Sequence, residues 1–310
     1  MAKCKICEKE FENDRRFHAH LKAHKLRIIE YYQTHYPRYD LYTGEIIKFK
    51  NKEQYFETEF NTRGSLRKWL QAQSEKEVKS YLKKILLERK EKKNLIYAPC
   101  QVELRSTKIP SIVFYDRYFS YNKICKDIGL KNKYFSGKKV IEDSEHQEKK
   151  HKIYIDTREQ NPLKIDYPTE VKTLKFGDYT LSEKELTCNC YIERKSLADF
   201  ISTMSVMNLE RFRREIERAK EANARLIILV EDTLTNALSF NFLPYISKKI
   251  KATPEFIFKN TRDLIQEYPH IQFLFVKGRK ESARVMKKIF FSNCSYKKVD
   301  LQLAYDKKIL

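Results

Sequence analysis

Leu226–Val230 reads LIILV, five apolar residues without a break. A strand of that composition offers water no polar face and must be covered on both sides. Ile271–Val276 repeats the character, while Leu209–Ala222 and Ser282–Phe291 carry the spacing of amphipathic helices. Short apolar strands alternating with such helices are the signature of an α/β unit, and the pattern begins at Lys152. Ile153–Asp156 is a further strand, and Thr180–Leu181 and Tyr191–Ile192 flank a hairpin-like stretch. Ser196 is placed to cap the helix that follows.

Upstream the pattern differs. Residues 1–25 hold a Cys/His cluster, and residues 26–135 are tyrosine-rich and then helical. Leu66, Trp69, Leu70, Val78, Leu82, Ile85 and Leu86 recur near helical spacing with lysine and arginine between them. Residues 136–151 are charged and poor in apolar side chains, as a linker is, and separate this part from an α/β domain at 152–310.

The 310-residue chain carries a net charge of +21. Residues 1–150 hold 34 basic and 21 acidic side chains and residues 151–310 hold 29 and 21, so no single tail explains the excess. A polyanion partner accounts for it, nucleic acid rather than a membrane surface, and the charge pattern alone does not separate DNA, duplex or branched, from RNA. No apolar run is long enough to span a bilayer, and MAKCKICEKE lacks the core of a signal peptide. Seven unevenly spaced cysteines fit a reducing, cytoplasmic setting with a metal site better than a disulfide framework.

That metal site is Cys4-x2-Cys7-x12-His20-x3-His24, two thiolates and two imidazoles at the spacing of a tetrahedral Zn²⁺ shell. Phe11 and Phe17 fall where a small ββα unit needs its core, and the segment resembles a CCHH-type zinc finger. In that family's docking mode Asn13, Arg15, Arg16 and Ala19 would face DNA, and His18 would be solvated or face a phosphate. Residues 64–93 carry ten basic against four acidic side chains, and Arg67, Lys68, Lys79, Lys83 and Lys84 form a second candidate DNA-facing stripe. Cys188 and Cys190 lack further ligand types nearby and read as strand packing.

The chemistry lies in the α/β part. Asp178 and, after a gap, Glu193-Arg194-Lys195 give two carboxylates and a lysine in the order acid, acid-x-lysine. On adjacent strands two carboxylates converge on one hard cation such as Mg²⁺ or Mn²⁺, and the lysine two residues on projects to the same side. Such a cation neutralises the developing charge of phosphodiester hydrolysis and activates a water.

Ile155-Asp156-Thr157-Arg158-Glu159, Gly177-Asp178-Tyr179, Glu193-Arg194-Lys195-Ser196 and Asp199 together resemble, in order, the signature of XPF-family structure-specific nucleases. The resemblance covers roughly residues 152–292. It implies a restriction-endonuclease-like core, a central mixed sheet flanked by helices, preceded here by the finger and a mainly helical region. By position, Asp156, Asp178 and Glu193 would be metal ligands and Lys195 would polarise the water. Arg194 would contact the scissile region or brace the acidic cluster, with Asp199, Glu159 and Arg158 completing the charged network. The family often appends helix-hairpin-helix modules after the nuclease; only Asn293–Leu310 follow here. Homodimerisation through the nuclease domain, and preference for branched DNA, therefore stay open.

Ile109-Pro110-Ser111-Ile112, Phe119-Ser120-Tyr121-Asn122 and Gly129-Leu130 resemble a helical repeat associated with phage homing endonucleases. Together the features imply a Mg²⁺-dependent DNA endonuclease of a phage or mobile element. A branch- or flap-specific nuclease of recombination or repair is the alternative, and an inactive DNA-binding regulator a third.

Overall fold

The computed structural model describes residues 2–37, 46, 48–57, 66–67, 70–107, 109–134, 151–181, 189–292 and 295–310. Lys68, Trp69, Cys188, Cys294 and nearly all of the expected linker lie outside these residues. The chain divides into two compact units, residues 1–81 with 108–110, and residues 82–107 with 111–310.

The first unit opens with strands β1 (Ala2–Lys3) and β2 (Glu10–Phe11), paired antiparallel, and helix α1 (Asp14–His20). Phe17, Leu21 and Tyr31 form its buried centre with Cys4, and Phe11 packs against them. Helices α2 (Ile28–His35) and α3 (Lys52–Glu57) extend this ββα kernel. Tyr31 and Tyr32 stack edge-on, and Tyr32 in turn meets Tyr55 and Phe56. A kernel this small buries little apolar surface alone, and the added aromatics enlarge its core.

α4 (Glu75–Lys93) carries the basic stripe, and the division between units falls within it. Three short helices follow, α5 (Gln101–Arg105), α6 (Ile112–Tyr115) and α7 (Tyr121–Asp127). α6 and α7 sit where the helical repeat was expected, and Gly129 leaves α7 at φ +76°. Residues 96–107 and 111–134 belong to the same unit as the sheet, although the sequence groups them with the region before it. The Gln101 amide donates to Asp300 Oδ2 at 2.7 Å, Arg105 pairs with Asp306 at 3.0 Å, and Cys100 and Val102 join the sheet's core.

The sheet has strands β3 (Ile153–Asp156), β4 (Thr169–Lys172), β5 (Tyr179–Leu181), β6 (Cys190–Lys195), β7 (Arg225–Val230) and β8 (Ile271–Phe275). Their order is β4-β3-β5-β6-β7-β8. β5 runs antiparallel to both β3 and β6, while β3–β4, β6–β7 and β7–β8 are parallel, so the sheet is mixed as expected. β7 and β8 lie at the parallel end and are buried on both faces. β4, TEVK, is exposed throughout, and its charges suit an edge.

Helices α8 (Leu197–Thr203), α9 (Val206–Glu221), α10 (Leu234–Ala237) and α11 (Pro254–Glu267) follow strands β6 and β7. Phe200, Phe212, Ile216 and Phe258 from α8, α9 and α11 cover one face, against Leu226, Ile228 and Val230. On the other face α12 (Gly278–Phe290) and α13 (Leu301–Asp306) lay Val285, Met286, Ile289 and Leu301 over Ile192, Ile227 and Leu229. Cys190 is buried in that second core, in keeping with a packing role. Among the described residues no helix is long and apolar enough to cross a membrane.

Candidate active site and candidate metal centre

Asp178 stands just before β5, and its backbone is fixed from both neighbours. Its amide donates to Ile192 O, and its carbonyl accepts from the Asp156 amide, each at 2.8 Å. The approach is tight enough to demand Gly177, which has φ +55° and whose Cβ, if present, would meet Ile192 O at 2.8 Å. Asp178 Oδ2 accepts the Arg194 amide at 2.7 Å. Burial, and then the neighbouring Glu193 carboxylate, push the Asp178 carboxyl up to about 7.

β6 delivers the rest of the motif by alternation. Glu193 and Lys195 project to the α9 side, where Lys195 Nζ bonds Glu193 Oε1 at 2.9 Å and lies 5.3 Å over the Phe212 ring. One helical turn beyond Phe212, Glu215 is half-buried, and burial, then Glu193, raise its carboxyl above the ordinary value. No sequence pattern singled out Glu215, since one glutamate in RFRREIER looks like any other on a charged helix.

Arg194 points the opposite way. Its Nε and Nη2 grip Glu159 Oε2 and Oε1, both at 2.9 Å, and its Nη1 reaches Glu231 Oε2 at 3.0 Å. Burial alone would lower the Arg194 guanidinium, but the Glu159 and Glu231 contacts outweigh it and raise its pKa. Of the two roles the sequence allowed, the bracing one matches these contacts. Replacing Arg194 by Met is expected to destabilise the fold by about 3 kcal/mol, because buried Glu159 would lose its ion-pair partner and Glu231 would keep only Arg279, at 3.5 Å. Urea denaturation of the Arg194→Met and Arg194→Lys proteins checks this; a Met variant as stable as wild type refutes the brace.

Asp156 is 1% exposed and fully engaged. Oδ1 accepts the Arg158 amide at 2.8 Å and Arg158 Nε at 2.6 Å; Oδ2 accepts the Leu174 amide at 2.7 Å and Arg158 Nη2 at 3.1 Å. Burial alone would raise this carboxyl, but the Arg158 and Leu174 donors hold it below its usual range. Arg158 itself is 70% exposed at its side chain, so it is the removable partner. Asp199 sits apart from the charged network: it receives Ser196 Oγ at 2.6 Å, and its amide donates back to that oxygen at 3.1 Å, capping α8.

In the first unit the ligand atoms of Cys4, Cys7, His20 and His24 all lie within 4.8 Å of one another. Cys4 Sγ is 3.6 Å from His24 Nε2, Cys7 Sγ 3.1 Å from His20 Nε2, and the two Nε2 atoms are 3.0 Å apart. A zinc ion with Zn–S near 2.3 Å and Zn–N near 2.0 Å asks for edges of roughly 3.3–3.8 Å, and these three lie within a few tenths of an ångström of that range, so two thiolates and two imidazoles here fit the ion. Burial alone would raise the Cys4 thiol, but hydrogen bonds from the Cys7 and Ile6 backbone bring it below its ordinary value.

The expected DNA-facing residues fare differently. Arg15 is exposed, whereas Asn13 Oδ1 caps α1 by accepting the Arg16 amide at 3.0 Å and Arg16 is held by Glu12. His18 is neither solvated nor free: its Nε2 lies 3.1 Å from Tyr32 Oη, and its ring lies against Phe17 and Phe56. Arg67, Lys83 and Lys84 are exposed, Lys84 lying 3.7 Å from Glu88.

Residues 142–289 match the family model described as the ERCC4 domain. A solved structure, XPF from Aeropyrum pernix in complex with DNA, is similar at 20% identity and a TM-score of 0.35, over 47% of this chain and 65% of that one. The comparison with curated proteins finds no match. The mixed six-stranded sheet, with its acid-x-lysine strand, lies within this matched segment, and residues 142–289 carry an ERCC4 domain.

Proposed function

We propose that the chain is a divalent-metal-dependent DNA endonuclease whose reacting centre is Asp178, Glu193 and Lys195. The observation that carries this is the Asp178–Glu193 pair. Two carboxylates are held side by side in a half-buried cleft, and burial and mutual repulsion lift Asp178 to about 7. Lys195 bonds Glu193 and acts on Asp178 as well, but it does not offset the burial and repulsion that raise Asp178, and a divalent cation held by both carboxylates would. Mg²⁺ or Mn²⁺ held there would supply charge neutralisation at the scissile phosphate and a water of lowered pKa. Asp178 and Glu193 would hold it, and Asp156 would join them once the exposed Arg158 swings away.

The chain's own groups do the remaining work. Lys195 Nζ, on the same face as Glu193, donates to the attacking water or a phosphate oxygen. The Arg194 amide fixes the Asp178 carboxylate, and the Arg194 side chain holds the strand in place from behind. Glu215 adds a third carboxylate from α9 and serves as a proton acceptor next to Glu193.

The N-terminal unit is proposed as a zinc-bound finger that binds DNA, with Arg15 and Arg67 as exposed phosphate contacts and Lys83 and Lys84 of the second unit as further ones. The net charge of +21 supports a polyanionic substrate. Site-directed cutting by a phage or mobile-element nuclease is the leading form; branch-directed cutting and a homodimer are alternatives within the same chemistry.

The deciding experiment incubates the full chain with linear duplex, flap, fork and single-stranded DNA in Mg²⁺, Mn²⁺ or EDTA. Cleavage in either metal and none in EDTA is expected. Cutting of unbranched duplex at one sequence supports the homing-like form, and cutting only at junctions supports the branch-directed one. Intact substrates throughout overturn the proposal and leave a DNA-binding regulator.

A further inference from the structure

Between the C-terminal half of α4 and α11 the second unit has a partly open pocket of about 300 Å³. That is the small end of the range for small-molecule sites. Four cationic side chains line it: Arg89 and Lys93 from α4, and Lys259 and Arg262 from α11. None of the nuclease residues described above borders it.

Three carboxylates share the wall, and all are engaged elsewhere. Glu103 accepts the Cys100 amide at 2.9 Å and Gln266 Nε2 at 2.8 Å. Asp263 takes Lys259 Nζ at 2.9 Å, and Glu267 takes Arg213. Neither arginine makes an ion pair among the described residues, and Glu103 and Asp263 act on both only at longer range. Arg262 Nη1 is steadied by Ser106 O and Oγ, both at 3.1 Å, which are neutral acceptors. Arg89 Nε is shut off from solvent and has no hydrogen-bond partner among the described residues.

Two guanidiniums at one cavity with no ion-pair partner repel each other. Burial, and then the nearby Arg89, push Arg262 down to about 10, and burial lowers Arg89 as well. Buried polar groups are almost always paired, so an orphaned N–H at a cavity wall marks a missing acceptor. The acceptor that suits planar guanidinium forks best is a tetrahedral oxyanion, which takes paired N–H bonds and offsets the repulsion between the two arginines.

We infer that this cavity is a binding site for a phosphate group, held between Arg89 and Arg262. The phosphate has two sources of the same chemistry, a small free species or the phosphate of a nucleic-acid strand. The inference goes beyond the nuclease centre, and cleavage is not needed to test it.

The test is calorimetric titration of the full chain, without divalent cations, at an ionic strength fixed with chloride. The probes are inorganic phosphate, deoxyadenosine monophosphate, and one short single strand with and without a 5′-phosphate. Wild type is compared with Arg89→Gln, Arg262→Gln and, as a control on the exposed face of α12, Lys280→Ala. Saturable binding of at least one probe is expected, weakened tenfold or more by Arg262→Gln and Arg89→Gln and unchanged in Lys280→Ala. Arginine-dependent binding of the small probes identifies a free phosphate ligand; dependence confined to the strands identifies a nucleic-acid phosphate. Where Arg89→Gln does not fold by circular dichroism, Arg89→Lys and Arg262→Gln decide. No binding of any probe, or equal affinity in wild type and Arg262→Gln, overturns the inference.

Discussion

Asp178→Asn is expected to abolish cleavage and, in metal-free buffer at pH 8, to raise the melting temperature. The first effect follows from losing one of two anionic ligands; a loss of about 4 kcal/mol in transition-state stabilisation is about a thousandfold in rate. The second follows from linkage. The folded carboxyl titrates at about 7 against an ordinary 3.8, so between those values the folded state holds a proton the unfolded chain has released. That contribution is complete below about pH 4 and is lost as the pH climbs through 7. At pH 8 the metal-free protein carries a penalty on the order of 4 kcal/mol, which the neutral amide removes while its oxygen still accepts the Arg194 amide. Asp156 and Glu159 act in the opposite sense: their carboxyls are held low, so their contributions disappear only on acidification below the ordinary carboxylate range. Melting curves from pH 5 to 8, with and without Mg²⁺, test the argument. Cutting by Asp178→Asn at the wild-type rate removes Asp178 from the centre. A metal-free wild type as stable at pH 8 as its Asn variant removes the buried-charge explanation.

Chelation of zinc is expected to unfold the N-terminal kernel and leave the sheet unit intact. Structural zinc contributes about 10 kcal/mol to domains of this size, more than the few buried side chains around Phe17 and Leu21 can supply. One zinc per chain is expected by elemental analysis, and cobalt substitution should give the absorption of a tetrahedral S₂N₂ site. In Cys7→Ser, or after chelation, amide signals of residues 2–35 should collapse into the unfolded range while those of β6–β8 persist. Tyr31 would be lost with them, since its hydroxyl accepts the Lys5 amide at 2.8 Å between the two cysteines. Unchanged spectra after chelation would show that the aromatic packing suffices on its own.

Much of this was legible in the sequence where a single residue type dictates its surroundings. LIILV could only be a strand covered on both faces, and it pairs with β6 and β8 as such. Ser196 announced its cap, and Glu193 and Lys195 share a face because strands alternate. What escaped notice depends on distant partners. β4 has no apolar pattern because it lies at the edge. α11 carries its own Thr253 cap and Pro254 start, yet its identity rests on burial by β7 and β8. Asp156 looked like a metal ligand of the same standing as Asp178, and only the Leu174 amide, eighteen residues away, and Arg158 reveal it as saturated. Glu215 and Glu231 are unremarkable on a charged chain until folding sets one beside Glu193 and the other against Arg194. Asp199 matched the motif by position, but Ser196 Oγ is a nearer claimant than any cleft.

β6 carries alternate side chains to opposite sides of the sheet, Glu193 and Lys195 toward α9 and Arg194 toward α12. A strand of this kind has no partly correct placement. Sliding it by a single position would send the guanidinium into the cleft and push an acid and an amine into the opposite core, so each group would arrive where it does most harm. The pairing of Tyr179 with Ile192 and of Lys195 with Val230 thus acts as a lock with one working position, and an assembly error yields an inert molecule rather than a careless cutter of DNA.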